Sequence, residues 1–189
     1  MTSLNVPRRF IEKAFKDIYR NLRLDKNGYK FFTLHRAETV DNPSRLKSIL
    51  TAMRNINGNV IFSVHPRTYK RIKGFKLEGL IKEMYCIEPQ SYIKSLALIK
   101  NASLVLTDSG GVQREAYMFR KPCVTLRDRT EWNETLRGGW NRLIAVNSRL
   151  PRRLPDFVRQ TKRSAIWQPI FGDGQASGKI FRIMREFLS

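Results

Sequence analysis

The sequence predicts an α/β domain: a Rossmann-like, doubly wound parallel sheet with helices on both faces. Two observations predict it. Short apolar runs alternate with amphipathic segments along most of the 189 residues, which is how repeated βα units read. Polar or conformationally special residues follow directly after those runs: His35, His65, Pro89, Asp108-Ser109 and Arg127. In a parallel sheet the carboxyl ends of the strands form one rim, and ligands bind beyond it.

The elements follow in order. Phe10 to Leu24 is helical, with Phe10, Ala14, Phe15, Ile18 and Leu22 on one stripe. Asp25-Lys-Asn-Gly28 is a turn, and Lys30 to Leu34 is the first strand. The loop His35–Asp41 leads to Asn42-Pro43, a helix cap followed by proline at the first helical position. That helix runs through Leu46, Ile49, Leu50 and Met53. Asn57-Gly58 turns into a second strand, Val60 to Val64, which His65-Pro66 ends before a short basic helix. Tyr85 to Glu88 is the third strand, and Tyr92, Leu96 and Ile99 mark the next helix. Leu104 to Thr107 is the central strand, and Cys123 to Leu126 the one after it. A short helix from Glu131 to Arg137 is broken by Gly138-Gly139, and Leu143 to Val146 is the last strand. Two helices close the chain, one across Phe157 and one from about Ala176 to Leu188. A second glycine turn, Phe171-Gly-Asp-Gly174, lies between them.

Composition narrows the function classes. Hydrophobic residues make up 41% of the chain, a globular proportion. No apolar run approaches the ~20 residues that span a bilayer. The start, Met1 to Arg9, has no apolar h-region after its basic pair, so no signal peptide is expected. Cys86 and Cys123 lie on predicted strands without C-x-x-C spacing. They read as two reduced, buried thiols of a cytoplasmic protein. Two cysteines and two histidines do not support a dedicated zinc site. The 36 Lys and Arg outnumber the 16 Asp and Glu, giving a net charge of +20. Such a surplus favours anionic partners. It gathers at Arg67, Lys70, Arg71, Lys73 and Lys76, and again at Arg149, Arg152, Arg153, Arg159, Lys162 and Arg163. There is no helix-turn-helix signal, RNP-like aromatic pattern or Cys/His finger, so no specific nucleic acid is expected.

The chemistry centres on Thr107-Asp-Ser-Gly-Gly111. A buried strand, a glycine turn and a helix make an anion site, because glycines admit close backbone approach and the first helical turn has free N–H groups. Glu115 sits one turn in, where it could accept hydrogen bonds from ribose hydroxyls. Asp-Ser-Gly-Gly by itself reads equally as an ordinary βα turn with a serine cap. Asp128 reads as a loop-structuring residue, and Trp132 and Trp140 as packing residues.

Taken together, several segments carry a resemblance. They are Thr33-Leu-His-Arg-Ala-Glu-Thr-Val-Asp-Asn42, Val64-His-Pro66, Glu88-Pro-Gln90 with Tyr92, Thr107-Asp-Ser-Gly-Gly-Val-Gln113 with Glu115-Ala116, Lys121-Pro122, Leu126-Arg-Asp128, Thr130-Glu131 with Glu134, and Gly172-Asp-Gly174. In this order and at this spacing they resemble the non-hydrolysing UDP-N-acetylglucosamine 2-epimerases, from about Lys30 to the end. That family has two Rossmann-like domains arranged as in GT-B glycosyltransferases, with the UDP-sugar between them. The resemblance covers the C-terminal domain, residues 28–189, preceded by an interdomain lead-in, residues 1–27. It implies interconversion of UDP-N-acetylglucosamine and UDP-N-acetylmannosamine by elimination and re-addition of UDP, without NAD or metal.

The resemblance also implies roles. His35 matches the family's active-site histidine and would be catalytic. Arg36 is its basic neighbour, and His65 belongs to the His-Pro motif near the substrate. Ser109, Gly110 and Gly111 would hold phosphate, Glu115 the ribose, and Arg127 and Glu131 the cleft loop. The chain departs from many relatives at Lys94-Ser95, where they have Pro-Phe, and at Trp132-Asn133, where they have Arg-Pro; Arg129 or Arg142 would be the substitutes for that arginine. The acidic catalytic residues that the family carries in its N-terminal half have no counterpart here. Two readings follow: an epimerase component needing an N-terminal partner or a second copy of the chain, or a non-catalytic UDP-binding module. A basic nucleic-acid-binding or membrane-binding protein reusing the fold is a third.

Overall fold

The computed structural model describes residues 8–22, 26–161, 167–172 and 175–188. Residues 1–7 and 23–25 of the lead-in, with Leu24 at the expected end of the first helix, Lys162 and Arg163 of the second basic cluster, and Asp173-Gly174 of the second glycine turn lie outside them.

Six strands form one sheet: β1 (Tyr29–Leu34), β2 (Asn59–Val64), β3 (Tyr85–Ile87), β4 (Leu104–Thr107), β5 (Cys123–Leu126) and β6 (Asn141–Ile144). All pairings are parallel, and the spatial order is β3-β2-β1-β4-β5-β6. The chain therefore starts in the middle, winds to one edge, returns and winds to the other. Between β1 and β4 the winding reverses, and the connections leave to opposite faces there.

Each face of the sheet is covered by helices because alternate strand residues are apolar on both sides. Phe32, Leu34, Val60, Phe62, Leu104, Leu106 and Val124 pack with α3 (Pro43–Arg54), α4 (Pro66–Gly74) and α7 (Leu150–Gln160). Tyr29, Phe31, Ile61 and Val105 pack with α1 (Arg8–Leu22), α5 (Tyr92–Asn101) and α6 (Gly110–Met118). A four-residue helix, α2 (Ala37–Val40), interrupts the loop expected after β1. Asn42 caps α3 by accepting from the Arg45 N–H at 3.0 Å, with Pro43 following as expected. The last helix, α8 (Ala176–Leu188), has the expected bounds.

Three expectations change. The last strand is Asn141–Ile144 instead of Leu143–Val146, because Asn141 is drawn into the interior by polar partners and the Val146 N–H donates to Asp128 Oδ1 instead of a ladder. The helix expected from Glu131 is a 3₁₀ segment, Asn133–Gly139, kinked at Arg137 and at Gly138 with φ 72°. Cys123 is buried as expected, but Cys86 is exposed, since it lies on the three-residue edge strand β3.

Phe32 and Phe62 face each other across β1 and β2 with ring centroids 4.4 Å apart, and both are fully buried. Phe62→Ala is expected to cost about 3–5 kcal/mol, because the sheet and α3 cannot collapse into the space. Urea denaturation of the two proteins, compared at equal slope, measures it.

Candidate functional site

The reversal point puts the ends of β1 and β4 side by side, and a buried carboxylate joins them. Asp108 follows β4 directly and has no solvent exposure. Its Oδ2 accepts the Arg36 N–H at 2.9 Å, and the His35 N–H lies 3.1 and 3.2 Å from its two oxygens. His35 Nδ1 is 3.3 Å from Oδ1. With Nδ1 turned toward the carboxylate, Nε2 is the end of the His35 ring directed away from Asp108.

The His65 ring centroid stands 5.9 Å from that of His35. His65 occupies the cap position of α4, where its Nδ1 accepts from the Arg67 N–H at 3.2 Å. This leaves Nε2–H as its free donor. Asp41, just after α2, binds both Arg67 and Arg71 of α4. Arg67 chiefly, with Arg71, holds the Asp41 carboxyl down to about 2. The pairing ties the loop carrying His35 to the helix carrying His65.

At the start of α6, Ser109 Oγ accepts from the Val112 N–H at 3.4 Å, and the Ser109 N–H is taken by Thr107 Oγ1 at 2.9 Å. The N–H groups of Gly110 and Gly111 have no acceptor among the described residues. Gly110 must be glycine for a steric reason. A Cβ there would stand 2.9 Å from Trp132 Nε1 and 3.6 Å from Arg36 Nη2.

Arg127 follows β5 and is almost fully buried. Its Nε donates to Glu38 at 2.8 Å, and its Nη1 to both oxygens of Glu131 at 2.8 and 3.0 Å. Glu131 in turn lies 3.5 Å from Arg36 Nη1. Arg127 thus clasps two carboxylates and braces the cleft loop, while Arg36 keeps one guanidinium nitrogen toward Gly110. The hydrogen bonds from Arg127, above all, hold the Glu131 carboxyl down to about 2. Behind the loop, Thr125, Thr130, Thr135, Asn141 and Gln113 form a buried polar cluster. Thr130 Oγ1 to Gln113 Oε1 is 2.7 Å, Thr125 Oγ1 to Asn141 Oδ1 is 2.8 Å and Asn141 Nδ2 to Thr135 Oγ1 is 2.9 Å.

The structure therefore brings His35, Arg36, His65, Ser109, Gly110, Gly111 and Glu131 to one crevice, with Arg127 behind them. Glu115 lies one turn along α6, half-buried and without a hydrogen-bonding side-chain partner among the described residues. Asp128 is structural, pairing with Arg45 at 2.9 Å and accepting from Val146. Arg142 is drawn off to α7, its guanidinium 3.9 Å from the Phe157 ring centre. Two residues gain importance beyond the sequence reading. Asp108 was visible only as part of a turn. Trp132, read as packing, does touch Phe171 and Arg114 but also overhangs Gly110. The Gly172 end of the second glycine turn is close by, since Phe171 packs on Trp132 and Tyr117.

A doubly wound parallel sheet with donors gathered at its reversal point defines a Rossmann-like domain of the kind that forms one half of GT-B proteins. The chain belongs to the UDP-N-acetylglucosamine 2-epimerase family, whose model matches residues 3–185. A UDP-N-acetylglucosamine 2-epimerase homolog of Methanococcus maripaludis is 39% identical over 180 residues, covering 94% of this chain and 50% of that protein. A UDP-2,3-diacetamido-2,3-dideoxy-D-glucuronate 2-epimerase of Pseudomonas aeruginosa is 40% identical over 156 residues, 81% of this chain and 41% of the other. The Methanocaldococcus jannaschii UDP-GlcNAc 2-epimerase, solved in complex with UDP-GlcNAc and UDP, superposes with a TM-score of 0.80 at 38% identity, over 94% of this chain and 51% of that one. The chain thus spans about half the length of the relatives it matches.

Glu115 offers a pH test. Burial raises its carboxyl from 4.5 to about 7. A carboxyl raised on folding binds its proton more tightly in the native state, so its stabilising contribution is complete below 4.5 and is lost as pH rises through about 7. Glu115→Gln removes the cost of burying the charge. The variant is expected to melt above the parent at pH 8, with the gap closing toward pH 4.5; calorimetric melts across that range measure it.

Proposed function

We propose that this chain is the C-terminal half of a UDP-N-acetylglucosamine 2-epimerase, holding the UDP end of the substrate in the crevice between β1 and β4. The observation that carries the reading is Asp108 joining His35 and Arg36 to the glycine turn of α6. In the proposed reaction a base takes the C2 proton. The C2–H electron pair forms the C1–C2 double bond, and the C1–O bond breaks with its pair leaving on UDP. UDP then returns to C1 while a proton is delivered to the opposite face of C2. The chemistry requires a positioned base and acid and a site that stabilises the leaving diphosphate.

In this reading Ser109, Gly110, Gly111 and Arg36 receive the diphosphate, and Glu115 accepts from ribose hydroxyls, which favour its charged form. His35, oriented by Asp108, presents Nε2 to the reacting end, with His65 beside it. Arg127 and Glu131 hold the loop that closes over the glycine turn. The Pseudomonas relative is named for a different sugar on the same nucleotide. UDP and inversion at C2 are the shared features, and they are what these residues would address.

The apolar face of α8 supports dependence on an N-terminal half. No residue of that helix is buried, and Ile180, Phe181, Ile183, Met184, Phe187 and Leu188 are all exposed, Phe187 at 89%. A 13-residue helix is marginal by itself in water, so an apolar stripe of this size calls for a covering surface. A second copy is disfavoured by the repulsion of two chains of net charge +20. The N-terminal half that the relatives carry is the occupant proposed.

The purified chain is expected to bind UDP and to show no epimerisation, since each absent acid–base group forfeits about 10²–10⁴-fold in rate. Adding the N-terminal half of a relative is expected to restore turnover, and His35→Ala to abolish it again; a coupled assay of UDP-N-acetylmannosamine formation measures both. Turnover by the chain alone overturns the dependence. Phe187→Glu is expected to leave UDP binding unchanged and to prevent restoration by the added half. The alternative of a non-catalytic UDP-binding module requires UDP binding with no turnover under either condition.

A further inference from the structure

Trp132 is partly exposed but anchored by its neighbours, and its indole Nε1 has no hydrogen-bond acceptor among the described residues. Its N–H donates to Thr130 Oγ1 at 3.1 Å, and its carbonyl accepts from Thr135 Oγ1 at 2.7 Å, so the backbone is tied to the buried polar cluster. The Arg114 guanidinium lies 4.1 Å from the ring centre, and the Phe171 ring meets the indole edge-on with centroids 5.9 Å apart. These contacts fix the plane of the indole and place Nε1 at the glycine turn, 2.9 Å from where a Cβ of Gly110 would stand. An indole N–H can only donate. No acceptor is given to it among the described residues.

The same point is approached by Arg36 Nη2, at 3.6 Å from that Cβ position. The N–H groups of Gly110 and Gly111 begin α6 there and are also without acceptors. Four donors of three kinds thus gather around one small volume, with no acceptor among them. An anion with several oxygens satisfies such a set at once.

We infer that Trp132 Nε1–H is a binding donor for a phosphate oxygen of a nucleoside diphosphate held at the start of α6. The inference rests on the reading that UDP occupies this crevice, and it adds a residue that the sequence motifs leave as packing. It also gives the Gly110 restriction a purpose. A side chain at that position would push the indole away from the anion as well as block the backbone.

The test measures binding of UDP, inorganic pyrophosphate and uridine to the purified full chain. Two variants are compared with the parent: Trp132→Phe, and Trp132 replaced by β-(3-benzothienyl)alanine, which keeps the bicyclic ring and its stack on Arg114 but has sulfur in place of N–H. A lost hydrogen bond to a charged group corresponds to about tenfold or more in affinity. Both variants are expected to bind UDP and pyrophosphate about tenfold more weakly and uridine unchanged. If Trp132→Phe does not fold, the benzothienyl variant carries the comparison. Parental UDP affinity in the benzothienyl variant overturns the inference and leaves the nucleotide reading standing. Equal weakening of UDP and uridine also overturns it, because that reports a distorted crevice. A parent that binds no UDP overturns both.

Discussion

Asp108 is a carboxylate with no exposure at the centre of a parallel sheet, and the arrangement of the crevice depends on it. Burying such a group is costly unless hydrogen bonds satisfy it. Here the carboxylate accepts from the backbone N–H groups of His35 and Arg36, with the His35 imidazole 3.3 Å away. The requirement works in both directions. The carboxylate needs the β1 loop to turn over it, and the loop then presents His35 and Arg36 beside the glycine turn. Neither strand end would hold this geometry without the other.

A second layer of constraint comes from the loop after β5. It has little regular structure of its own, and it is held by side chains instead. Gln113 of α6, Thr125 of β5 and Asn141 of β6 are all buried and bind one another or the loop's Thr130 and Thr135. Buried polar networks are favourable only when nearly satisfied, so they specify one arrangement. The outcome is a rigid loop that holds Trp132 over Gly110. On the front of the loop, Arg127 is satisfied by Glu38 and Glu131, which leaves Arg36 as the guanidinium closest to the turn.

The charge distribution fits the same picture. At the crevice Arg127 is paired with Glu38 and Glu131 and Arg36 Nη1 stands 3.5 Å from Glu131, while Arg36 Nη2 and the start of α6 face the glycine turn. At α8, by contrast, six large apolar side chains are exposed on one helix. One end of the domain is thus suited to an anion, and the C-terminal helix to an apolar surface. Both fit the proposed reading, in which this domain forms half of a larger cleft.

Much of this was legible in the amino-acid sequence. The doubly wound class followed from alternating buried runs and helical stripes, and Leu104–Thr107 and Cys123–Leu126 came out as expected because fully buried strands are continuously apolar. The caps at Asn42 and Ser109 were legible because capping is local chemistry. The gathering of His35, His65 and the glycine turn was foreshadowed by their positions after strands. Other features depend on contacts between residues far apart in the chain, and no local pattern encodes those. The end of β6 was decided by Asn141 and Asp128, and the exposure of Cys86 by the edge position of β3. Arg127 could be read as a cleft residue, but its burial between two carboxylates came only from the fold. Trp132 is the clearest case. Its sequence neighbourhood says only that a large aromatic residue must find a packing partner, and only the folded loop decided that its indole nitrogen would face Gly110.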